Sequence, residues 1–159
     1  MLRLATSDDL KGLCCIARIV ARELHASGID QWSDTYPDYE HFQKDLDKSA
    51  LYVYEIEGGV IGSISILPEN DPFYKVLTWE GTNALVVHRL MVLPAFRRQH
   101  IGSTLLNFAI EMAKKQNYDS VKIDTHPDNL RMQKLIKSCG FKEVGYITPM
   151  NRIGYQLVF

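Results

Sequence analysis

The apolar positions of the chain follow two different periods, and the switches between them mark off its elements. Leu2 and Leu4 alternate with polar neighbours, as a short strand does. Leu10, Leu13, Cys14, Ala17, Val20, Ala21 and Leu24 then recur at helical spacing. Thr6 or Ser7 can cap that helix, Asp8 and Asp9 favour its first turn, and Ser27-Gly28 ends it. A short helix is expected from about Asp38. Residues 51–57 and 60–67 alternate on either side of Gly58-Gly59, which predicts a hairpin turning on the two glycines. Residues 68–78 read as a loop. "NALVVHRLMVL" is almost continuously apolar, as a strand covered on both faces should be. A helix over about 101–116 carries Leu105, Leu106, Ala109, Met112 and Ala113 on one side, and "DSVKIDTH" is a further strand. Pro127-Asp128-Asn129 opens a helix, with Asp128 as its expected cap and Met132, Leu135, Ile136 and Cys139 inward, and Gly140 stops it. "FKEVGYI" and "RIGYQLVF" close the chain as strands. The order β-α-α-β-β-β-α-β-α-β-β predicts one α/β (α+β) domain over residues 1–159, built on a mixed sheet.

Composition narrows the function classes. The 159 residues are 46% apolar and 23% charged, with a formal net charge of −1. No global field then draws the chain to nucleic acid or to an anionic membrane. The three cysteines, Cys14, Cys15 and Cys139, are odd in number and lack metal spacing, and Cys14 and Cys139 lie on apolar helical stripes. They read as small hydrophobes in a reducing, cytoplasmic setting. "MLRLATSDDL" lacks the apolar run of a signal peptide, and no stretch approaches the roughly 20 apolar residues of a membrane span.

The chemistry concentrates in "PAFRRQHIGSTLL". A buried strand ends near Leu93-Pro94 and a helix begins near Ile101, so the turn between them holds amides without helical partners at the positive end of a helix dipole. Such a turn suits a phosphate. Arg97 and Arg98 add charge, and Gly102 admits close approach. The sequence is neither a GxxxxGK[ST] nor a GxGxxG loop, and a solvated basic turn explains it as well.

"VLPAFRRQHIGSTLL" resembles the pyrophosphate-binding signature of the GNAT superfamily of N-acetyltransferases, Arg/Gln-x-x-Gly-x-Gly/Ala, with Arg97 at its first position and Gly102 at its last. "NLRMQKLIKSCGF" resembles the second family motif at Asn129, Gly140 and Phe141. The resemblance implies a mostly antiparallel central sheet flanked by helices. It also implies that the amides of Arg98, Gln99, His100, Ile101, Gly102 and Ser103 hold the pyrophosphate of acetyl-CoA. Leu90, Met91 and Val92 would offer backbone to the pantetheine arm, and Asn129 would contact the same arm. Two positions depart from the pattern. His100 replaces the first glycine of the signature, which requires it to adopt the local backbone conformation. Ile136 replaces the tyrosine that often protonates the departing thiolate, and core packing accounts for it.

Acetyl transfer needs a neutral amine, and a lysine-like amine is neutral only to about one part in 10³–10⁴ at pH 7. His88, a polar ring within an apolar strand, is the preferred base, directly or through water, because such a ring is costly unless it is hydrogen-bonded or faces a cavity. It shares a strand face with Val86, Leu90 and Val92 by simple alternation. Its spacing to the arginines also resembles arylalkylamine N-acetyltransferase. A buried structural histidine is the competing reading. Asp124 at the end of the next strand and Glu80 before the central strand are secondary candidates. Trp32, Tyr36 and Trp79, with Tyr39, Phe73 and Tyr74, are candidates for an acceptor pocket wall or for the edge of the core. The expected activity is direct transfer of acetyl from acetyl-CoA to a primary amine of a small molecule or a protein, with no metal, nucleic acid or membrane partner. A homodimer is compatible with the exposed closing strands. The rival reading is a non-catalytic acyl-CoA-binding or regulatory module.

Overall fold

The computed structural model describes all 159 residues. Its elements are β1 (Leu2–Leu4), α1 (Leu10–Ala26), α2 (Tyr39–Asp47), β2 (Leu51–Ile56), β3 (Gly59–Leu67), β4 (Ala84–Val92), α3 (Ile101–Lys115), β5 (Ser120–Thr125), α4 (Leu130–Ser138), β6 (Lys142–Ile147) and β7 (Arg152–Val158). The strands form one sheet in the order β1-β2-β3-β4-β5-β7-β6. β4 and β5 run parallel, while β1–β2, β2–β3, β5–β7 and β6–β7 are antiparallel. The fold class and element order are those the pattern predicts. No helix is long and apolar enough to cross a membrane.

Three local expectations differ. The hairpin turns on Glu57 and Gly58, with Ile56 opposite Gly59, so the second glycine already belongs to β3. Glu57 and Gly58 both have positive φ, 49° and 79°, as a two-residue hairpin of matching twist demands. The stretch read as a loop contains a 3-10 turn, Pro72–Val76. Proline opens it, and the Asp71 carboxylate accepts from the Phe73 amide at 2.9 Å. The cap of α4 is Asn129, whose Oδ1 accepts from the Met132 amide at 3.2 Å, while Asp128 points outward.

The chain divides into two compact units. The first comprises Met1–Ser65 and Arg89–Leu105. Leu10, Leu13, Ala17 and Leu24 of α1 pack there with Phe42, Leu51, Val53 and Met91. Arg3 bridges Asp9 and Glu55, and its hydrogen bonds hold the Asp9 carboxyl below its ordinary range. Buried Asp45 accepts from Ser65 Oγ at 2.6 Å and pairs with Arg89 Nη1 at 2.5 Å. Arg89 itself stands at φ +53° within β4, the mark of a bulge.

Gly62 of β3 lies against β4, and a Cβ there would meet the Met91 carbonyl oxygen at 2.8 Å. That oxygen and Val92 Cα, 3.6 Å away, are both backbone and cannot retreat separately. Gly62→Ala is therefore expected to destabilise by about 1–3 kcal/mol, read as a melting temperature lowered by roughly 2–12 °C. An unchanged melting temperature would show that β3 and β4 can part locally.

The second unit comprises Ile66–His88 and Leu106–Phe159. Tyr74, Val86 and Ile147 form a buried cluster against which Leu77, Trp79 and Met150 pack. The Asp119 carboxylate accepts from the Thr82 and Asn83 amides at 2.7 and 2.9 Å and fixes the entry to β4. The Gln156 side chain clamps Glu80 by both backbone groups, at 2.9 and 2.7 Å.

Candidate active site

In the first unit, the exit from β4 is bonded tightly. The Leu93 amide donates to Ile61 O at 2.7 Å, and a 3-10 turn, Pro94–Phe96, follows. Arg98 and His100 then take left-handed φ, 63° and 60°. Histidine thus adopts the conformation that the signature reserves for glycine, at a cost that a residue without Cβ branching tolerates. The His100 carbonyl accepts three bonds, from the Thr104 amide (3.0 Å), Thr104 Oγ1 (2.7 Å) and Ser103 Oγ (2.9 Å). Those bonds turn both hydroxyls back onto the loop. The amides of residues 98–103 have no intramolecular acceptor, and they lie at the start of a 15-residue helix. Oriented free amides and the helix dipole together make an anion cradle built of backbone alone.

The arginines divide. The Arg97 guanidinium pairs with Glu23 of α1, a partner too distant in sequence to be anticipated, while Arg98 is exposed. Leu90 and Met91 are buried and Val92 half-buried at the end of β4. The left-handed residue at 89 breaks the expected alternation, so His88 and Leu90 do not share one unbroken strand face.

In the second unit, β4 and β5 pair in parallel with Val86 opposite Lys122. Two residues beyond that pair stand His88 and Asp124. The charge of His88 bears on Asp124 and favours its ionised form, as does Arg152, whose Nε lies 3.9 Å from Asp124 Oδ1. Tyr74 donates its hydroxyl to Asp124 Oδ2 at 2.5 Å. Burial nevertheless pushes the Asp124 carboxyl above its ordinary value, and Asp71 adds to that effect. Asp124 is thus an ionisable group with its hydrogen bonds in place and its pKa set by competing causes, as active-site carboxylates are.

The other candidates fall elsewhere. Glu80 has its backbone clamped and its side chain exposed. Asn129 caps α4. Trp79 packs on the Tyr74 cluster, donates Nε1 to Tyr74 O at 2.7 Å, and has Lys122 Nζ 4.8 Å over its ring. Trp32 belongs to the core of the first unit, and Tyr36 lies half-exposed with the Arg89 guanidinium 5.5 Å over its ring. Each aromatic here has a packing role. Tyr74 and Arg152 are the neighbours of Asp124 that the sequence pattern does not reveal. Their only signal is indirect: Gly145 and Gly154 leave room for Leu77 and Trp79 to press the 72–79 segment onto the sheet.

Known proteins show the same plan. The acetyltransferase (GNAT) family matches residues 18–141. Human N-acetyltransferase 8 is 32% identical over 97 residues, covering 61% of this chain and 40% of its own length. The chain thus spans less than half of that curated relative. A GNAT-family acetyltransferase structure from Streptococcus agalactiae superposes with a TM-score of 0.87 at 21% identity, over 100% of this chain and 95% of the other. The PaiA N-acetyltransferase of Thermoplasma acidophilum, solved in complex with coenzyme A, gives 0.80 at 17% identity over 100% and 98%. With a family match that contains the amide cradle, His88 and Asp124 together, the chain belongs to the acetyltransferase (GNAT) family.

Proposed function

We propose that residues 1–159 act as one acetyltransferase domain, which transfers an acetyl group from acetyl-CoA directly to a primary amine of a small molecule or a protein. The observation that carries this reading is the backbone cradle at residues 98–103, completed by a histidine held in a left-handed conformation. Coenzyme A in the complex of the Thermoplasma relative supports the choice of co-substrate. Acetyl-CoA supplies an activated acyl group on a thiol leaving group. The amides of residues 98–103 hold its pyrophosphate, and Leu90, Met91 and Val92 and Asn129 hold the pantetheine arm. His88 takes the proton from the amine, and Asp124 stabilises the positive charge that His88 acquires.

The cysteines do not serve as acyl carriers in this reading. Burial raises the thiol pKa of both Cys14 and Cys139, which lowers the thiolate fraction that a nucleophile needs. All three cysteines are unpaired, which supports a cytoplasmic setting. Ile136 is fully buried and cannot protonate the thiolate. A thiol of pKa about 8.5 leaves adequately near neutrality without that help. The reading is tested by free-thiol release from acetyl-CoA, with and without a panel of primary amines. Release that depends on an amine is the expected result. Tight acetyl-CoA binding with no amine-dependent release across the panel would favour the non-catalytic module.

A further inference from the structure

The Tyr74 hydroxyl has a placement that packing alone does not require. The phenol is 1% exposed, yet its polar end reaches a carboxylate rather than a backbone carbonyl. Much of the local architecture holds it there. Asp71 and Pro72 set the 3-10 turn, and Trp79 returns to donate to the Tyr74 carbonyl with its ring 5.0 Å from the Tyr74 ring. Gly145 and Gly154 are bare where any Cβ would meet Leu77 or Trp79 at 2.8–2.9 Å. On the other side, Asp124 is held in β5 opposite Gly154 of β7, which adds no side chain. The charged and titratable groups facing Asp124 are Tyr74 from the 3-10 turn, His88 from β4, Arg152 from β7 and Asp71 from the loop.

We propose that Tyr74 is a positioning residue for the reaction: its buried hydroxyl orients the Asp124 carboxylate and keeps it ionised, and thereby sets the basicity of His88. The proposal rests on the reading of His88 as the base. Its logic is electrostatic. A carboxylate that is mostly withdrawn from water stays charged only if donors replace the water, and Tyr74 is such a donor, at 2.5 Å. Without it, Asp124 binds its proton up to a higher pH, because the Tyr74 bond acts to lower its pKa. Over the pH window between the old and new Asp124 values, His88 then faces a neutral carboxyl and becomes a weaker base. His88 and Asp124 act on each other through their charges, so a change at one is felt at the other.

Tyr74→Phe keeps the ring and removes only the donor. Two measurements decide the matter. The first is the pH profile of kcat/KM. The ratio of wild type to Tyr74→Phe is expected to reach ~10–100-fold in that window, the value of a hydrogen bond to a charged group, and to shrink as pH rises and Asp124 ionises in the variant too. A purely structural role gives a pH-independent loss that follows the melting temperature, which would overturn the proposal. The second needs no turnover: the NMR titration of the His88 ring in wild type, Tyr74→Phe, Asp124→Asn and the variant that carries both substitutions. A lower His88 midpoint in both variants, with no further fall in the double variant, is expected. The same midpoint in wild type and Tyr74→Phe, or additive shifts, would overturn the proposal. Should His88→Ala retain turnover, the base assignment fails by itself, and the titration still decides what Tyr74 does.

Discussion

His88→Ala lowers turnover by about 10²–10⁴-fold, the usual contribution of a positioned general base, and leaves acetyl-CoA affinity nearly unchanged. The two readouts separate because the imidazole acts on the amine, whereas the cradle at residues 98–103 is made of backbone amides that the substitution does not touch. The loss depends on pH in a definite direction. At pH 7 an alkylamine is overwhelmingly protonated, and in the proposed reaction His88 accepts its proton. As pH rises toward the amine pKa, a growing share of the acceptor arrives neutral, so the deficit of the variant shrinks. Asp124→Asn should show a smaller loss of the same shape, since it removes the charge that stabilises protonated His88 but leaves the ring. A stable His88→Ala protein with near-wild-type turnover across the pH range would sink the assignment and turn the search to Asp124 and Tyr74.

The features legible in the sequence are those fixed by local rules. The helical stripe of α1, the start of α2 near Asp38 and the apolar run of β4 all depend on neighbours within a few residues, and each stands where the pattern puts it, whereas Thr6 caps a 3-10 turn, Ser7–Asp9, that leads into α1 rather than α1 itself. His88 stood out because a polar ring in that run had to have a reason. What stayed hidden depends on contacts across long separations. Glu23 and Arg97 are 74 residues apart, Tyr74 and Asp124 are 50 apart, and Asp45 and Arg89 are 44 apart. No periodicity encodes such pairs. The bulge at Arg89 was hidden for a related reason: nothing in "VVHRLM" forbids continuous alternation, and the left-handed residue accompanies a buried pairing with Asp45. The 3-10 turn at residues 72–76 was masked because its Asp-Pro start reads equally as a loop opening. The burial of Tyr74 that gives the turn its meaning comes from tertiary packing.

Gly102→Asp weakens acetyl-CoA binding by about 10²-fold or more, while the protein keeps its stability or gains some. The two effects have one origin. Gly102 is the second residue of α3, in the first turn, where the helix dipole and the free amides favour negative charge. An aspartate there interacts well with the helix and replaces a residue of poor helical propensity, so the melting temperature should hold or rise. For a bound pyrophosphate the same carboxylate is a competitor for the amides and a like charge. At an effective dielectric of ~20, two unit charges about 6 Å apart repel by roughly 3 kcal/mol, which is close to 10²-fold in affinity. Raising the salt concentration should recover part of the loss. Arg97→Ala provides the contrast. Its guanidinium is already paired with Glu23, so its removal should weaken binding less than Gly102→Asp does. Isothermal titration of the two variants with acetyl-CoA makes the comparison directly. Wild-type affinity in a folded Gly102→Asp protein would mean that the pyrophosphate does not bind at the start of α3, and the backbone cradle would lose its role.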